Sequence, residues 1–328
     1  MPARPGTPMV GVAGLRSVVR CLLAIRALGV PASVALRALG AEHLSRRVSR
    51  ICKHVPKTVV LPLPRERGRG GRRVRMYSAS GRDGVARSMW WEGWAGFEKP
   101  LPDLWLAFAE NAKVVFDVGA NTGFYSLLAA SASSAAVVYA FEPFPPAHRW
   151  LAANVGLNRM ADRIRIVPAA VSDTDGETEL YVPGDDKGFV ETGCSLSRAF
   201  RQDFASAVRV AVCTLDSYAD RCCCGPVDLI KIDVESQEHR VLAGAERLVR
   251  ECRPMIAIEV LKRGDCEALE KIRCKHGYVP LRLRRDVILK CDHVQADGQA
   301  MNQILCPEER VVATVEVVQS RGYRVECS

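Results

Sequence analysis

The sequence predicts an α/β fold, a doubly wound and mostly parallel sheet, preceded by a helical and irregular basic extension. Three observations predict it. From Val114 onward, short continuously apolar runs of strand length alternate with segments of helical periodicity. Several of those runs end in a glycine turn or an acidic residue, at the edge where a doubly wound sheet presents its ligands. The N-terminal third differs in composition, with 19 Lys and Arg against 5 Asp and Glu in residues 1–100 and 27 against 32 in the rest.

The chain has 328 residues, of which 48% are hydrophobic and 25% charged, the balance of an ordinary globular protein rather than a disordered one. The composition shift divides it into an extension over 1–85 and a domain over 86–328. Residues 9–40 are apolar but interrupted by Arg16, Arg20, Arg26 and Arg37. No run there reaches the roughly 18 residues that a membrane span needs. The pattern predicts two short helices parted at Pro31, with Arg16 and Arg20 on one face. The first acidic residue is Glu42, so an organelle-targeting role for residues 1–40 stays open beside a cytoplasmic location. The 13 cysteines include Cys222-Cys223-Cys224 but no C-x-x-C pair, which predicts free thiols.

Residues 43–75 read as a basic, solvated connector. Pro56, Pro62 and Pro64 break regular structure, and 67–73 is Arg-Gly-Arg-Gly-Gly-Arg-Arg. That stretch leaves nucleic acid open as a partner through residues 46–75. Trp90, Trp91, Trp94 and Phe97 follow, a density of rings that predicts partial burial against the core or a pocket. The expected elements are then a strand at 114–118, a helix at 124–131, strands at 136–141 and 164–167 parted by a helix at 147–158, a strand at 228–233, one helix over 238–250 and a strand at 255–260. Alternating segments at 177–182 and 208–215 predict a small β insertion. A helix near 265–275 and a hairpin-like pair at 278–283 and 303–306 close the domain.

Four segments carry chemistry. In Phe116-Asp117-Val118-Gly119-Ala120-Asn121-Thr122-Gly123, the two glycines allow a tight strand-to-helix turn and Asp117 adds an acid. A dinucleotide fold is disfavoured because Asn121 stands where G-x-G-x-x-G needs its second glycine. Glu142, 23 residues after Gly119 at the end of the second strand, has the place of a carboxylate that accepts both ribose hydroxyls of an adenosine-bearing ligand. Asp173 follows small residues that would let an adenine lie flat, and either accepts from its amine or starts a turn. In Lys231-Ile232-Asp233-Val234-Glu235-Ser236-Gln237-Glu238, strand alternation puts Lys231, Asp233 and Glu235 on one side. A carboxylate there takes a proton from a substrate hydroxyl or holds a divalent ion that does so. Asp233 is the first choice, with Glu235 and Glu238 next and Lys231 orienting the acceptor or pairing Asp233.

With these segments placed, the chain resembles the FkbM family of S-adenosylmethionine (SAM)-dependent methyltransferases. The resemblance runs from about Glu98 to Pro307 through Gly96-Phe97-Glu98, 116–123, Phe141-Glu142-Pro143, Asn154 and Asn158, 169–173, Thr214-Leu215-Asp216, 231–235 and 302–307. It implies the class I methyltransferase sheet with an antiparallel last strand. SAM would be held by Asp117, Gly119, Asn121, Gly123, Glu142 and Asp173. Methyl transfer to a hydroxyl of a sugar, polyketide or other small molecule would be catalysed by Asp233, Glu235 and Lys231. The chain departs from the family at Ser236, which stands where the family has glycine. Two other functions stay open, an RNA methyltransferase using the basic segment and a SAM-binding protein without catalysis.

Overall fold

The computed structural model describes residues 55–64, 72–184, 190 and 193–328. The helices and targeting role expected within 1–40, and the arginine-rich stretch 65–71, lie outside the described residues. Strands β1 (Thr58–Pro62) and β2 (Arg73–Tyr77) form an antiparallel ribbon. Three strands follow, β3 (Val114–Val118), β4 (Val137–Phe141) and β5 (Ile164–Val167). A small separate sheet comprises β6 (Ala169–Val171), β7 (Gly176–Pro183) and β8 (Phe204–Cys213) in the order β6-β8-β7. The remaining strands are β9 (Leu229–Ile232), β10 (Met255–Glu259), β11 (Tyr278–Leu283), β12 (Val287–Lys290), β13 (Asn302–Pro307) and β14 (Arg324–Cys327).

The main sheet has the order β5-β4-β3-β9-β10-β13-β11-β12-β14. Pairing is parallel from β5 through β10, and β13 runs antiparallel to both β10 and β11. This is the mostly parallel class I sheet that the sequence predicts. Three strands run against the rest, β13 inserted between β10 and β11, and β12 and β14 at the edge. Strands β12 and β14 extend that edge and were not expected, because two four-residue runs carry too little periodicity to stand out.

Burial on both faces explains why β3 and β9 are apolar apart from Asp117 and Lys231, which face each other across the pair. All five residues of β3 and all four of β9 are buried. The chain winds β3, β4, β5 to one side and then crosses to β9. The order therefore reverses between β3 and β9, where a crevice opens beyond the carboxyl ends.

Two expectations are corrected. The single helix expected over 238–250 is two, Glu238–Ala243 and Glu246–Glu251. Gly244 parts them, pressed so near the Ser172 carbonyl that a Cβ would lie 2.1 Å from its oxygen. The Asp216 carboxylate then caps the second helix, accepting from the amides of Arg247 at 2.8 Å and Leu248 at 3.0 Å. The connector is also not free where it is described. Val59, Leu61, Val74 and Met76 are buried in the same core as Leu127, Leu128 and Leu151, so the apolar face of the ribbon crosses the boundary expected at 85/86. Its arginines cap helices: Arg72 donates to the Ser131 and Ala132 carbonyls at 2.7 and 3.0 Å, and Arg75 to Leu157 at 2.9 Å. Asn154 joins the ribbon to the glycine turn, accepting from the Tyr77 amide and donating to the Thr122 carbonyl, both at 2.8 Å.

The aromatic patch packs on this core, with Trp91 buried and Trp90, Trp94 and Phe97 half-buried against it. The alternating segments pair antiparallel as β7 and β8. The eleven described cysteines are free thiols.

Candidate active site

A narrow cleft of about 60 Å³ opens at the reversal point, lined by Gly119, Asn121, Glu142, Asp233 and Glu235, with apolar walls that include Phe141, Ala170 and Leu180. The turn after β3 is built by close approach. Gly119 has φ +79°, and a Cβ on it would lie 1.9 Å from the Asp233 carbonyl oxygen. The amides of Gly119 and Ala120 both donate to the Phe141 carbonyl, at 3.1 and 2.9 Å. Gly123, at φ +92°, opens the helix Phe124–Ala132, and its missing side chain makes room for Leu151.

Glu142 is 6% exposed and clamps this turn, accepting from the Asn121 amide and the Phe144 amide at 2.8 Å each. Burial pushes its carboxyl up to about 7 against the pull of those two amides. A carboxylate oxygen has more than one lone pair, so Glu142 retains acceptor capacity toward the cleft.

Asp117 does not line the cleft. It is buried, accepts from Ser126 Oγ at 2.6 Å, and pairs in register with Lys231 on the neighbouring strand. Burial raises its carboxyl, while the Lys231 ammonium opposes the rise. Lys231 is 2% exposed and its Nζ lies 2.7 Å from Asp233 Oδ2. Burial alone would lower the lysine, but the carboxylates of Asp233, Glu98 and Asp117 raise it on balance, so it is a held ammonium.

Lys231 and Asp233 therefore sit together as expected, and Glu235 does not join them. Strand β9 ends at Ile232, and Glu235 (φ +55°) and Ser236 (φ +73°) turn left-handed, so alternation stops before Glu235. Glu235 still reaches the lip of the cleft, where its carbonyl accepts from Ser195 Oγ at 2.9 Å. Ser236 holds the backbone shape that glycine adopts freely, and its buried hydroxyl has no hydrogen-bond partner among the described residues. Glu238 points inward as a turn clamp. Its carboxylate accepts from the Ser236 and Val234 amides at 3.1 and 3.3 Å, and burial pushes it up to about 7.

Asp173 is held by an arginine of the helix Glu238–Ala243. The Arg240 guanidinium grips both of its oxygens, at 2.7 and 3.0 Å, and it does not line the cleft. That fork is the first cause holding its carboxyl below the usual range.

Sequence reasoning assigned no role to four side chains around Lys231. Tyr125 donates to Glu98 Oε2 at 2.6 Å, and its ring centre is 4.7 Å from Lys231 Nζ. Glu259 pairs with Asn302 across β10 and β13 and, one step past the Ile258–Ile232 pair, lies beside Asp233. Burial, then the nearby Asp233 and Glu235, push Glu259 up to about 9. Its signal was available, since Glu259 ends an apolar strand as Glu142 follows one. Among the described residues, no group of three or more His, Cys, Asp and Glu side chains is placed to hold a metal ion. No described helix is long and apolar enough to cross a membrane.

A family model described as the methyltransferase FkbM domain matches residues 117–280, half of the chain. The chain is 31% identical over 156 residues to 31-O-demethyl-FK506 methyltransferase FkbM of Streptomyces tacrolimicus, covering 40% of this chain and 59% of that protein. It is 30% identical over 213 residues to the AMB antimetabolite synthetase AmbE of Pseudomonas aeruginosa, covering 54% of this chain and 10% of that protein. Among solved structures, the methyltransferase FkbM from Methylobacillus flagellatus KT is similar at 18% identity and a TM-score of 0.40, over 60% of this chain and 44% of that one. The described cleft combines a glycine turn, the buried Glu142 carboxyl and an apolar wall. The chain belongs to the FkbM family of SAM-dependent methyltransferases.

Proposed function

We propose that the protein transfers a methyl group to a hydroxyl oxygen of a small molecule, a sugar, polyketide or other metabolite. The observation that carries this reading is Asp233, which lines the cleft while bonded at 2.7 Å to a buried ammonium. Bound SAM supplies an electrophilic methyl on a sulfonium. The chain's residues would do the rest. Glu142 would accept the ribose hydroxyls, with Gly119 and Asn121 forming the turn beneath the cofactor and Gly123 opening the helix behind it. Asp117 would act from behind the turn, through Lys231.

On the acceptor side, Asp233 would accept the hydroxyl proton as the oxygen attacks, with Lys231 fixing its orientation and Glu235 standing at the lip. Most of the acceleration would come from alignment, with proton transfer adding about 10²–10⁴-fold. The name of the Streptomyces relative supports oxygen as the target.

The described basic residues do not favour RNA, since Arg72 and Arg75 are bonded to helix-end carbonyls. The test is a panel of hydroxylated acceptors, beginning with 31-O-demethyl-FK506 and simple glycosides, incubated with SAM and assayed for S-adenosylhomocysteine (SAH) and for the methylated atom. O-methylation lost in Asp233→Asn is the expected result. Methylation on nitrogen or carbon, or cofactor binding with no transfer to any hydroxyl in the panel, would sink the reading.

A further inference from the structure

Behind Asp233 lies a buried arrangement that methyl transfer does not by itself explain. Three carboxylates surround one ammonium: Asp233 is bonded to it, Asp117 is abreast of it on β3, and Glu98 comes from the segment before the helix Leu101–Ala109. All three act on Lys231 electrostatically. An ammonium has three protons to give, and a buried one settles on whichever carboxylate is free to approach. Glu98 is not free. The hydroxyl of the buried Tyr125 donates to it at 2.6 Å, and the Asn302 side chain bonds it as well. Glu98 is also held at φ +46°, a left-handed shape shared with Asn121 and Glu235, which line the cleft. The Tyr125 ring covers the ammonium on another side, 4.7 Å from its centre.

We propose that Tyr125 is a positioning residue for methyl transfer: its hydroxyl ties Glu98 down, so that Lys231 gives its hydrogen bond to Asp233 and holds that carboxylate at the cleft. The inference rests on the reading of Asp233 as the group that meets the acceptor. Glu98 lends its charge to keep Lys231 an ammonium but is prevented from taking Asp233's place. Removing the tyrosine hydroxyl releases Glu98 toward Lys231. Removing the glutamate charge as well leaves Lys231 with Asp233 again.

The test follows from that competition. In protein labelled with ¹⁵N-lysine and saturated with SAH, one slowly exchanging ammonium signal is expected, absent in Lys231→Met. Tyr125→Phe, which keeps the ring, should shift that signal and lower turnover by about tenfold at little change in the KM for SAM. The double variant Tyr125→Phe, Glu98→Gln should move both back toward wild type, which a merely structural loss would not do. Glu98→Asp, too short to keep the 2.6 Å bond but still charged, should shift the signal as Tyr125→Phe does.

An unchanged Lys231 signal in Tyr125→Phe, or a defect that the second change leaves in place, overturns the inference. Asp233→Asn separates the two claims. Turnover retained there removes Asp233 from the reaction, whereas the ammonium signal reports the Tyr125–Glu98 tie in either case.

Discussion

Glu142 shows how a single buried carboxyl links the fold to the cofactor. It holds the Asn121 and Phe144 amides and, at about 7, titrates in the neutral range. The ionised form is the better acceptor for two ribose hydroxyls, so affinity should rise with pH through about 7. Calorimetric titration with SAH from pH 6 to 8 should show tightening, and Glu142→Gln should bind more weakly and without that slope. A flat wild-type profile would remove Glu142 from the ribose. Glu238 makes a stability prediction of definite sign. Its carboxyl is raised by burial, so its contribution is fully present below about 4.5 and is lost as pH rises through about 7. Glu238→Gln, which keeps an acceptor for the Ser236 amide, should reduce the fall in Tm between pH 5 and 8. Ser236 is strained by its left-handed backbone and buries a hydroxyl without a partner among the described residues. Ser236→Gly should therefore gain about 1 kcal/mol, seen as a Tm a few degrees higher. A lower Tm would mean that the serine hydroxyl has a bound partner.

At the scale of elements, the site depends on how closely β3 and β9 approach at their carboxyl ends. Gly119→Ala would drive a Cβ to within 1.9 Å of the Asp233 carbonyl, so one strand end must move. The expected outcome is a loss of about 2 kcal/mol or more in denaturant unfolding together with loss of SAH binding. Normal binding in that variant would show that the turn accommodates the methyl elsewhere. The parallel strands β3, β4, β9 and β10 were legible because strands covered on both faces read as short, mainly apolar runs, and β5 as an apolar run broken by the exposed Arg165 at the sheet edge. The helix over 238–250 was misread as one because helical periodicity continues across Gly244. Its break comes from a contact with Ser172, more than seventy residues earlier in the chain. The Asp173–Arg240 ion pair was not legible for a related reason, since Arg240 lies on the first of those helices and spacing alone gives no sign of it.

At the scale of the molecule, the ribbon β1–β2 is part of the core rather than an appendage. Met76 is fully buried in it. Met76→Ala should cost about 2–5 kcal/mol by chemical denaturation. A loss below about 0.5 kcal/mol would mean that the ribbon docks only loosely. The ribbon reaches the active site through Asn154, which bonds both Tyr77 and the Thr122 carbonyl in the glycine turn. By itself the sequence determined the doubly wound sheet, the glycine turn, Glu142 and the Lys231–Asp233 pair. Each of these is local, a run of apolar residues ending in a particular side chain. Tertiary structure alone decided which charges face one another. Strand order puts Asp117 abreast of Lys231 and Glu259 beside Asp233, and a loop far upstream brings Glu98 to Tyr125. The physical reason is that a buried ammonium is stabilised by whatever carboxylates the folded chain brings within a few ångströms, and distance along the sequence does not set that approach.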